Sequence, residues 1–446
     1  MTFSPETSRI AKVLVDAGAC GLSEADRRLA AFSLEVHLSP SDASTLAGQA
    51  AALTAIVTAS RCFLGGVMLT GATDEPLLLP LPIKARTLGA AAVELGCLAV
   101  SQPSCAVVIG GSAPFTGWAV RAWWDGWVAG VCPADDDRPP GRGNNCLAGV
   151  AAGALAVAHA FRHVQGDVKA GRTAETVSLW EPDLADDPGP RLVYLPKALW
   201  FVGLGNLGQA YLWSLSMLPY TQPQQVELFF QDFDIVKDVN WGTSILVRRQ
   251  QYGMLKNRAA EDWALGRGFG VKRIDRRFDH TTARQDGDPA VALSGLDSLG
   301  ARRLLGVAGF DFVIDCGLGA TALDYRKFRL TVFDPPYGPE DHFHAIEDDA
   351  DARNVRNLRL PAYQDELARD PQAGCGMAEL AGASAAVPFV SAFASALVIT
   401  QAIRISSDQP PLRTMVGTVD EIQGLRVVPG PTVRPGQVGY AEPMHC

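Results

Sequence analysis

The sequence predicts an α/β protein of two domains, and three observations lead to that reading. First, Ala198-Leu199-Trp200-Phe201-Val202 is an apolar run of strand length. It leads into Gly203-Leu204-Gly205-Asn206-Leu207-Gly208 and then into helical sequence through Met217, just ahead of Pro219. Glycines between a strand and a helix allow a tight turn and a close approach of backbone to phosphate. The helix N-terminus adds unpaired N–H groups and the positive end of its dipole. Second, another apolar run at 226–230 leads into Gln231-Asp232-Phe233-Asp234. That places an acidic residue where a nucleotide ribose is held. At this point a dinucleotide and ATP are both open. Third, the first 180 residues also alternate strand-like and helical patterns and end in an Ala-rich helix.

In order along the first half, Ile10, Val13, Leu14 and Ala17 keep helical spacing, and 31–38 alternates like a strand before the turn at Pro40-Ser41-Asp42. A helix is expected over 43–58, a strand over 62–69 and another over 105–111, which closes on Gly110-Gly111. Trp118 to Val131 reads as one strand or two, 135–143 as a loop, and Asn144-Asn145 as the cap of a helix over 146–163. The tryptophans here are expected in the core or at a domain interface. His37, His159 and His163 lack a third ligand at metal spacing and are expected to be packed or solvated. The stretch 181–195, with Pro182, Pro188 and Pro190 among acidic residues, reads as a linker.

Composition narrows the class. A chain of 446 residues is long enough for two or three domains. With 48% apolar and 20% charged residues it is expected to be a soluble globular protein. A net charge of -9 without a long basic run argues against nucleic acid as the main partner. No signal-peptide core opens the chain. The longest apolar stretches, 147–161 and 385–403, are Ala-rich with interspersed polar residues and are expected as buried helices, not membrane spans. Nine scattered cysteines without a C-x-x-C suggest free thiols in a reducing cytoplasm and argue against a structural zinc.

The segment after the second apolar run decides between the nucleotides. Asp232-x-Asp234-x-Val236, then Asn240, then Gly253-x-x-Lys256 resembles the nucleotide site of the ubiquitin-activating (E1) and ThiF/MoeB adenylating family. A hydride-transfer enzyme has no use for a lysine there, whereas an adenylating enzyme can neutralise triphosphate charge with it. The resemblance covers about 195–405. It implies ATP and Mg2+ as cofactors, with Gly203, Gly205 and Gly208 toward phosphates. Asp232 and Asp234 would then lie at the nucleotide, Asp232 on the ribose, and Asn240 and Lys256 on the triphosphate. Two positions depart from the family pattern. Leu318 stands where the magnesium aspartate is expected, which leaves Asp234, Asp311 or Asp315 for the metal, and Asp315 is taken as the candidate. Thr243 stands where an arginine is expected, which leaves Arg248 and Arg249, or an arginine from the first domain.

Beyond Lys256 the helix is expected to run to about 266, with strands over 270–274 and 310–317 and a helix around Leu304-Leu305. The charged stretch 337–374 reads equally as a crossover loop over the site or as a solvated loop. Ala373-Gly374-Cys375-Gly376-Met377 precedes an Ala/Val-rich helix within 383–403. A thiol near a helix N-terminus has a lowered pKa, and flanking glycines leave room for another chain's C-terminus. Cys375 also matches the position of the thioester cysteine in small ubiquitin-activating enzymes. His342 or His344 could assist proton transfer, and Cys316 is expected to be buried and inert. Strands are expected within 414–428 and a loosely ordered tail after 429.

What the resemblance implies is an E1-like enzyme that adenylates the C-terminus of a ubiquitin-like protein, stores it on Cys375 as a thioester and passes it to an E2-like partner. In bacteria such proteins sit in antiviral clusters. Residues 1–180 would be an inactive adenylation-like domain, 196–410 the active one, and 411–446 C-terminal strands and tail. The alternatives are a ThiF/MoeB-type sulfur-carrier adenylyltransferase, which the missing zinc cysteines weigh against, and a non-catalytic nucleotide-binding scaffold, which Leu318 and Thr243 favour.

Overall fold

Two mixed sheets, each covered by helices, divide the chain and share one strand order. The computed structural model describes residues 4–111, 115–139, 141–335, 337–343, 357–369, 374–430 and 441–446. The first half runs α1 (Ser8–Val15), α2 (Leu22–Ala31), β1 (Ser33–Leu38), α3 (Pro40–Ala43), α4 (Leu46–Ala59), β2 (Gly66–Gly71), α5 (Leu88–Glu94) and β3 (Cys105–Ile109). It continues with β4 (Ala119–Asp125), β5 (Val128–Pro133), α6 (Cys146–Val164) and β6 (Glu175–Ser178). The second runs β7 (Leu192–Pro196), β8 (Ala198–Val202), α7 (Asn206–Met217), β9 (Glu227–Gln231), α8 (Lys256–Arg267), β10 (Gly270–Ile274), β11 (Val291–Ser294), α9 (Leu299–Arg303) and β12 (Phe312–Leu318). Then follow β13 (Lys327–Phe333), α10 (Pro339–Phe343), α11 (Pro361–Arg369), α12 (Gly374–Gly382), α13 (Pro388–Ser406), β14 (Thr414–Thr418), β15 (Arg426–Val428) and β16 (Ala441–His445).

The first sheet is ordered β2-β1-β3-β4-β5-β6 and the second β10-β9-β8-β11-β12-β13-β14-β15. Without its edge strands β10 and β15, the second follows the path of the first. In both, four parallel strands are extended by two antiparallel ones. Helix α4 follows β1 as α7 follows β8, and α6 precedes β6 as α13 precedes β14. The first half therefore repeats the topology of the second. The stretch Trp118 to Val131 is two strands, turned at Gly126 with φ +56. The segment read as a linker ends in β7, and the tail read as loose ends in β16, its antiparallel partner.

Between the sheets the helices are apolar all round because they are covered on every side. Helices α6 and α13 are each 19 residues long and apolar enough by composition to cross a membrane, yet both are buried within the fold. Gly149 and Gly153 let α6 lie directly on α4, since a Cβ at either would fall 2.2 Å from the carbonyl oxygens of Ala47 and Ala51. The asparagine pair caps both helices: Asn145 accepts from Leu147 N–H, and Asn144 accepts from Leu46 N–H at 2.8 Å. Across the halves, Trp213 of α7 donates to Thr54 of α4, while within the second half the hydroxyls of Ser214 of α7 and Ser395 of α13 pair at 2.6 Å.

His159 of α6 is fully buried, and its Nδ1 accepts from Gly171 N–H. Burial, helped by Arg162, pushes its pKa down to about 3. Glu175 stands 3.7 Å away, but burial pushes its carboxyl toward the neutral form as well. The histidine's folded pKa lies below its unfolded value, so the unfolded chain binds the extra proton and stability falls as pH drops below about 6.5. Glu175 acts in the opposite sense, only in the carboxylate range. Between pH 6.5 and 5, His159 is therefore expected to cost about 2 kcal/mol of stability. Urea melts at the two pH values should show this loss, and His159→Gln should reduce it.

Candidate active site

The glycine turn after β8 is built by one left-handed glycine and two close approaches. Gly203 has φ +85, a left-handed conformation that favours glycine. A Cβ on Gly208 would fall 2.1 Å from the Gly203 oxygen, and one on Gly295, just after β11, 2.9 Å from the Gly208 nitrogen. Gly205 is different, because a Cβ there would meet nothing within 4 Å. It stands at the N-cap of α7, which has no side-chain cap. An uncapped helix N-terminus under open space suits an anionic group.

Asp232 closes this turn against the end of β9. Its Oδ2 accepts from Leu204 N–H at 2.6 Å and its Oδ1 from Asp234 N–H at 2.8 Å. Burial raises its pKa, while Lys256 and the two amides pull it back. Lys256 opens α8 with its Nζ 2.7 Å from Oδ2 of the half-exposed Asp234, and its own N–H donates to the Asp234 carbonyl. The next residue, Asn257, is fully buried. Its Nδ2 donates to the Asp232 carbonyl at 2.8 Å and to Asp275 at 2.7 Å, tying β9 to β10. Asn240 lies in the following turn, where its Oδ1 accepts from Lys237 N–H at 2.8 Å.

Of the two arginines considered for the position of Thr243, neither faces the glycine turn in this structure. Arg249 grips Glu6 with two hydrogen bonds of 2.8 Å, and Arg248 is 3.6 Å from Glu94. Both line a cleft toward the first half. Another arginine of the first half lies near the loop after β11 and near α12. Arg9 of α1 is half-buried. Burial works against its charge, and Asp297, before α9, and Glu379 of α12 support it. Glu379 also stands 4.0 Å from Lys237. Helix α1, the loop after β11, α12 and the Asn240 turn thus converge. A buried set fastens α1 there: Lys12 Nζ is 2.7 Å from Asp16 and donates to the Tyr363 hydroxyl at 2.9 Å, and that hydroxyl donates to Asp16.

Cys375 lies in the first turn of α12, four positions before Glu379, and its side chain is outside the described residues. His344 and two parts of the expected crossover loop, 344–356 and 370–373, also lie outside them. His342 packs on α10 with its Nδ1 2.6 Å from the Tyr337 hydroxyl. Cys316 is fully buried, and burial drives its thiol pKa far up.

The expected metal ligand is otherwise engaged. Asp315 is fully buried at the end of β12, and Arg302 of α9 holds both its oxygens through Nε at 3.1 Å and Oδ2 through Nη2. Burial opposes the Arg302 charge, and Asp315 outweighs it, so the guanidinium pKa is raised. Asp234 is held by Lys256, and no cluster of three metal-binding side chains occurs among the described residues. Both carboxylates are thus paired with cations in this structure. Asp315→Asn is expected to cost about 3–5 kcal/mol by leaving Arg302 buried and unpaired, readable as a lower denaturation midpoint.

Sequence reasoning missed Gly295, Asn257, Arg302 and Arg9. Asn257 adjoins the lysine of the motif. The others come from segments that only the folded topology brings to the site.

The first half holds a different answer at the same place in its topology. After β1 the chain carries Ser39 and Asp42 instead of a glycine turn. Asp42 is buried, and its carboxylate accepts from Ser39 Oγ at 2.5 Å and from Gly111 N–H at 3.0 Å. Gly110, with φ +75, makes room for it, since a Cβ there would sit 2.2 Å from the Asp42 carboxyl carbon. A built-in carboxylate thus occupies the space above the β1 turn.

Comparison with known proteins adds the following. The family model for the BilD C-terminal domain matches residues 195–409, and that for the BilD N-terminal domain matches 33–179. A bacterial E1-like protein BilD from Collimonas sp. (strain OK412) is 33% identical over 408 residues, covering 89% of this chain and 87% of that protein. Among solved structures, E. coli MccB with MccA-N7isoASN aligns over 53% of this chain and 65% of that one, at 14% identity and a TM-score of 0.37. E. coli MccB with ATP aligns over 53% and 64%, at 14% identity and 0.35. This chain spans a little under two thirds of MccB, and a likeness of that size carries no argument about activity.

Proposed function

The chain belongs to the BilD family of bacterial E1-like proteins, and on that premise we propose that it activates a ubiquitin-like protein by adenylation and carries it as a thioester. The observation that supports this most is the joining of the uncapped α7 terminus, Asp232 and the Lys256–Asp234 pair into one hydrogen-bonded unit. The three glycines face the phosphates, Asp232 the ribose, and Lys256 and Asn240 the triphosphate. Arg9, from the first half, supplies the cation that Thr243 does not.

The substrate's C-terminal carboxylate oxygen attacks the α-phosphorus of ATP. The bond to the bridging oxygen breaks, and pyrophosphate leaves with charge that Lys256 neutralises. The acyl adenylate is a good electrophile because AMP is a good leaving group. The Cys375 thiolate attacks its carbonyl carbon, AMP departs, and the thioester is ready for an E2-like partner. In this reading residues 1–180 are a non-catalytic partner domain, with Asp42 where an anionic ligand would bind. The protein acts in the cytoplasm, and neighbouring genes for a ubiquitin-like protein and a conjugating enzyme would fit an antiviral role.

The test is a gel assay with ATP, Mg2+ and the neighbouring ubiquitin-like protein. An adduct cleaved by thiol reagent and absent in Cys375→Ala is the expected result. An adduct that persists in Cys375→Ala would remove that residue from the mechanism. The Arg302–Asp315 pair favours a second reading, a nucleotide-binding scaffold without chemistry, in which neither adduct nor pyrophosphate exchange is seen.

A further inference from the structure

A cleft of about 860 Å³ lies between the two halves and shares none of the glycine-turn residues, Asp232, Asp234 or Lys256. Three arginines line it: Arg61, just past α4 in the first half, and Arg248 and Arg249 in the second. The guanidinium groups of Arg61 and Arg249 both lie over the Trp241 ring, at 4.5 and 4.6 Å from its centre.

The acids of the cleft are already engaged. Glu6 takes Arg249 and the Tyr252 hydroxyl. Asp26 takes Ser4 N–H and the Thr7 hydroxyl. Glu94 takes Lys84 N–H and stands 3.6 Å from Arg248. Arg61 is only 7% exposed and, among the described residues, forms no ion pair. Its Nη2 donates to the carbonyls of Ile245 and Val247, and its Nε has no partner among the described residues. A buried guanidinium without a counter-ion is costly. Burial first and the nearby Arg249 second push its pKa down to about 10, with Tyr252 and the Glu6 carboxylate supporting its charge only in part. The remaining wall includes Phe63 and Leu98, which are apolar.

We propose that this cleft is a second ligand site, for a small molecule that carries an oxyanion on an apolar body, with Arg61 and Arg248 as its cationic partners. Guanidinium groups match phosphate and carboxylate geometry, and the volume suits a small ligand. Arg61 comes from the first half and Arg248 from the second, so the occupant bridges them and raises the melting temperature. The site is independent of adenylation.

The test is calorimetric titration of the full chain, without ATP or protein substrate, using phenyl phosphate, phenylacetate and inorganic phosphate as probes. The wild type and Lys256→Ala are expected to bind a phenyl probe equally, Arg248→Gln about tenfold more weakly, and Arg61→Met not at all. Arg248 is exposed on its rim, so Arg248→Gln keeps the test decisive should Arg61→Met fail to fold. Preference for phenyl phosphate or for phenylacetate identifies the anion, and either supports the site. Weaker binding of inorganic phosphate supports the apolar wall. No binding of either phenyl probe at millimolar concentration overturns the proposal. So does binding that Lys256→Ala abolishes and Arg248→Gln leaves intact, because the probe would then be in the nucleotide site.

Discussion

Lys256→Ala is expected to lower ATP–pyrophosphate exchange by about 10²–10³-fold while leaving the fold intact. The magnitude is that of removing one preorganised charge from a site where charge develops, about 3–4 kcal/mol. The fold survives because of how the pair is placed. The Lys256 side chain contacts Asp234, which is half-exposed, so the released carboxylate is solvated at little cost. The backbone bond from Lys256 N–H to the Asp234 carbonyl stays, and so do the bonds of Asp232 to the glycine turn. A melting temperature near that of the wild type beside a collapsed exchange rate is the expected pair of results. Exchange within a few-fold of wild type would mean that Lys256 serves only to hold Asp234.

The second large effect separates two glycines of one motif. Gly208→Val is expected to abolish nucleotide binding and to destabilise the chain by about 1–3 kcal/mol. Its Cβ would lie 2.1 Å from the Gly203 oxygen, and Gly295 closes in from the next strand. Helix α7 is held from behind by Trp213 on Thr54 and Ser214 on Ser395, which resists its retreat. Gly205→Ala is expected to lose less than about 1 kcal/mol, the N-cap preference for glycine alone, because its Cβ enters open space. The added methyl nevertheless occupies the space over the α7 N-terminus and should weaken ATP binding. Titration of both variants with a non-hydrolysable ATP analogue, beside denaturant melts, checks the contrast. A loss of stability in Gly205→Ala as large as that in Gly208→Val, or normal binding in Gly208→Val, would contradict this account of the turn.

The parts readable from sequence are those whose physics is local. The glycine turn, Asp232 and Lys256 occupy one stretch of under 60 residues, and each has a steric or electrostatic reason for its spacing. The buried helices were readable because they are apolar throughout, and Asn145 announced its helix as a cap. Strand β11 was not foreseen, because Val291–Ser294 is too short to show a period, although it lies at the centre of the second sheet. Strand β13 was missed as well, and β16 follows a Pro/Gly-rich stretch and is paired with the distant β7. Arg9 lies more than 280 residues from Asp297 and Glu379, and no local pattern marks it. Arg302 is one arginine among many until the fold sets it on Asp315. The kinship of the two halves shows in their strand order more than in any shared motif, since the first half has replaced its glycine turn with Asp42.

The most direct measurement is ATP–pyrophosphate exchange by the purified full chain in the presence of a candidate ubiquitin-like protein. Exchange that needs the partner's intact C-terminus, persists in Cys375→Ala and falls in Lys256→Ala is the result expected of an adenylation site at the glycine turn. Absence of exchange with a partner shown to bind, or exchange indifferent to Lys256, would contradict it.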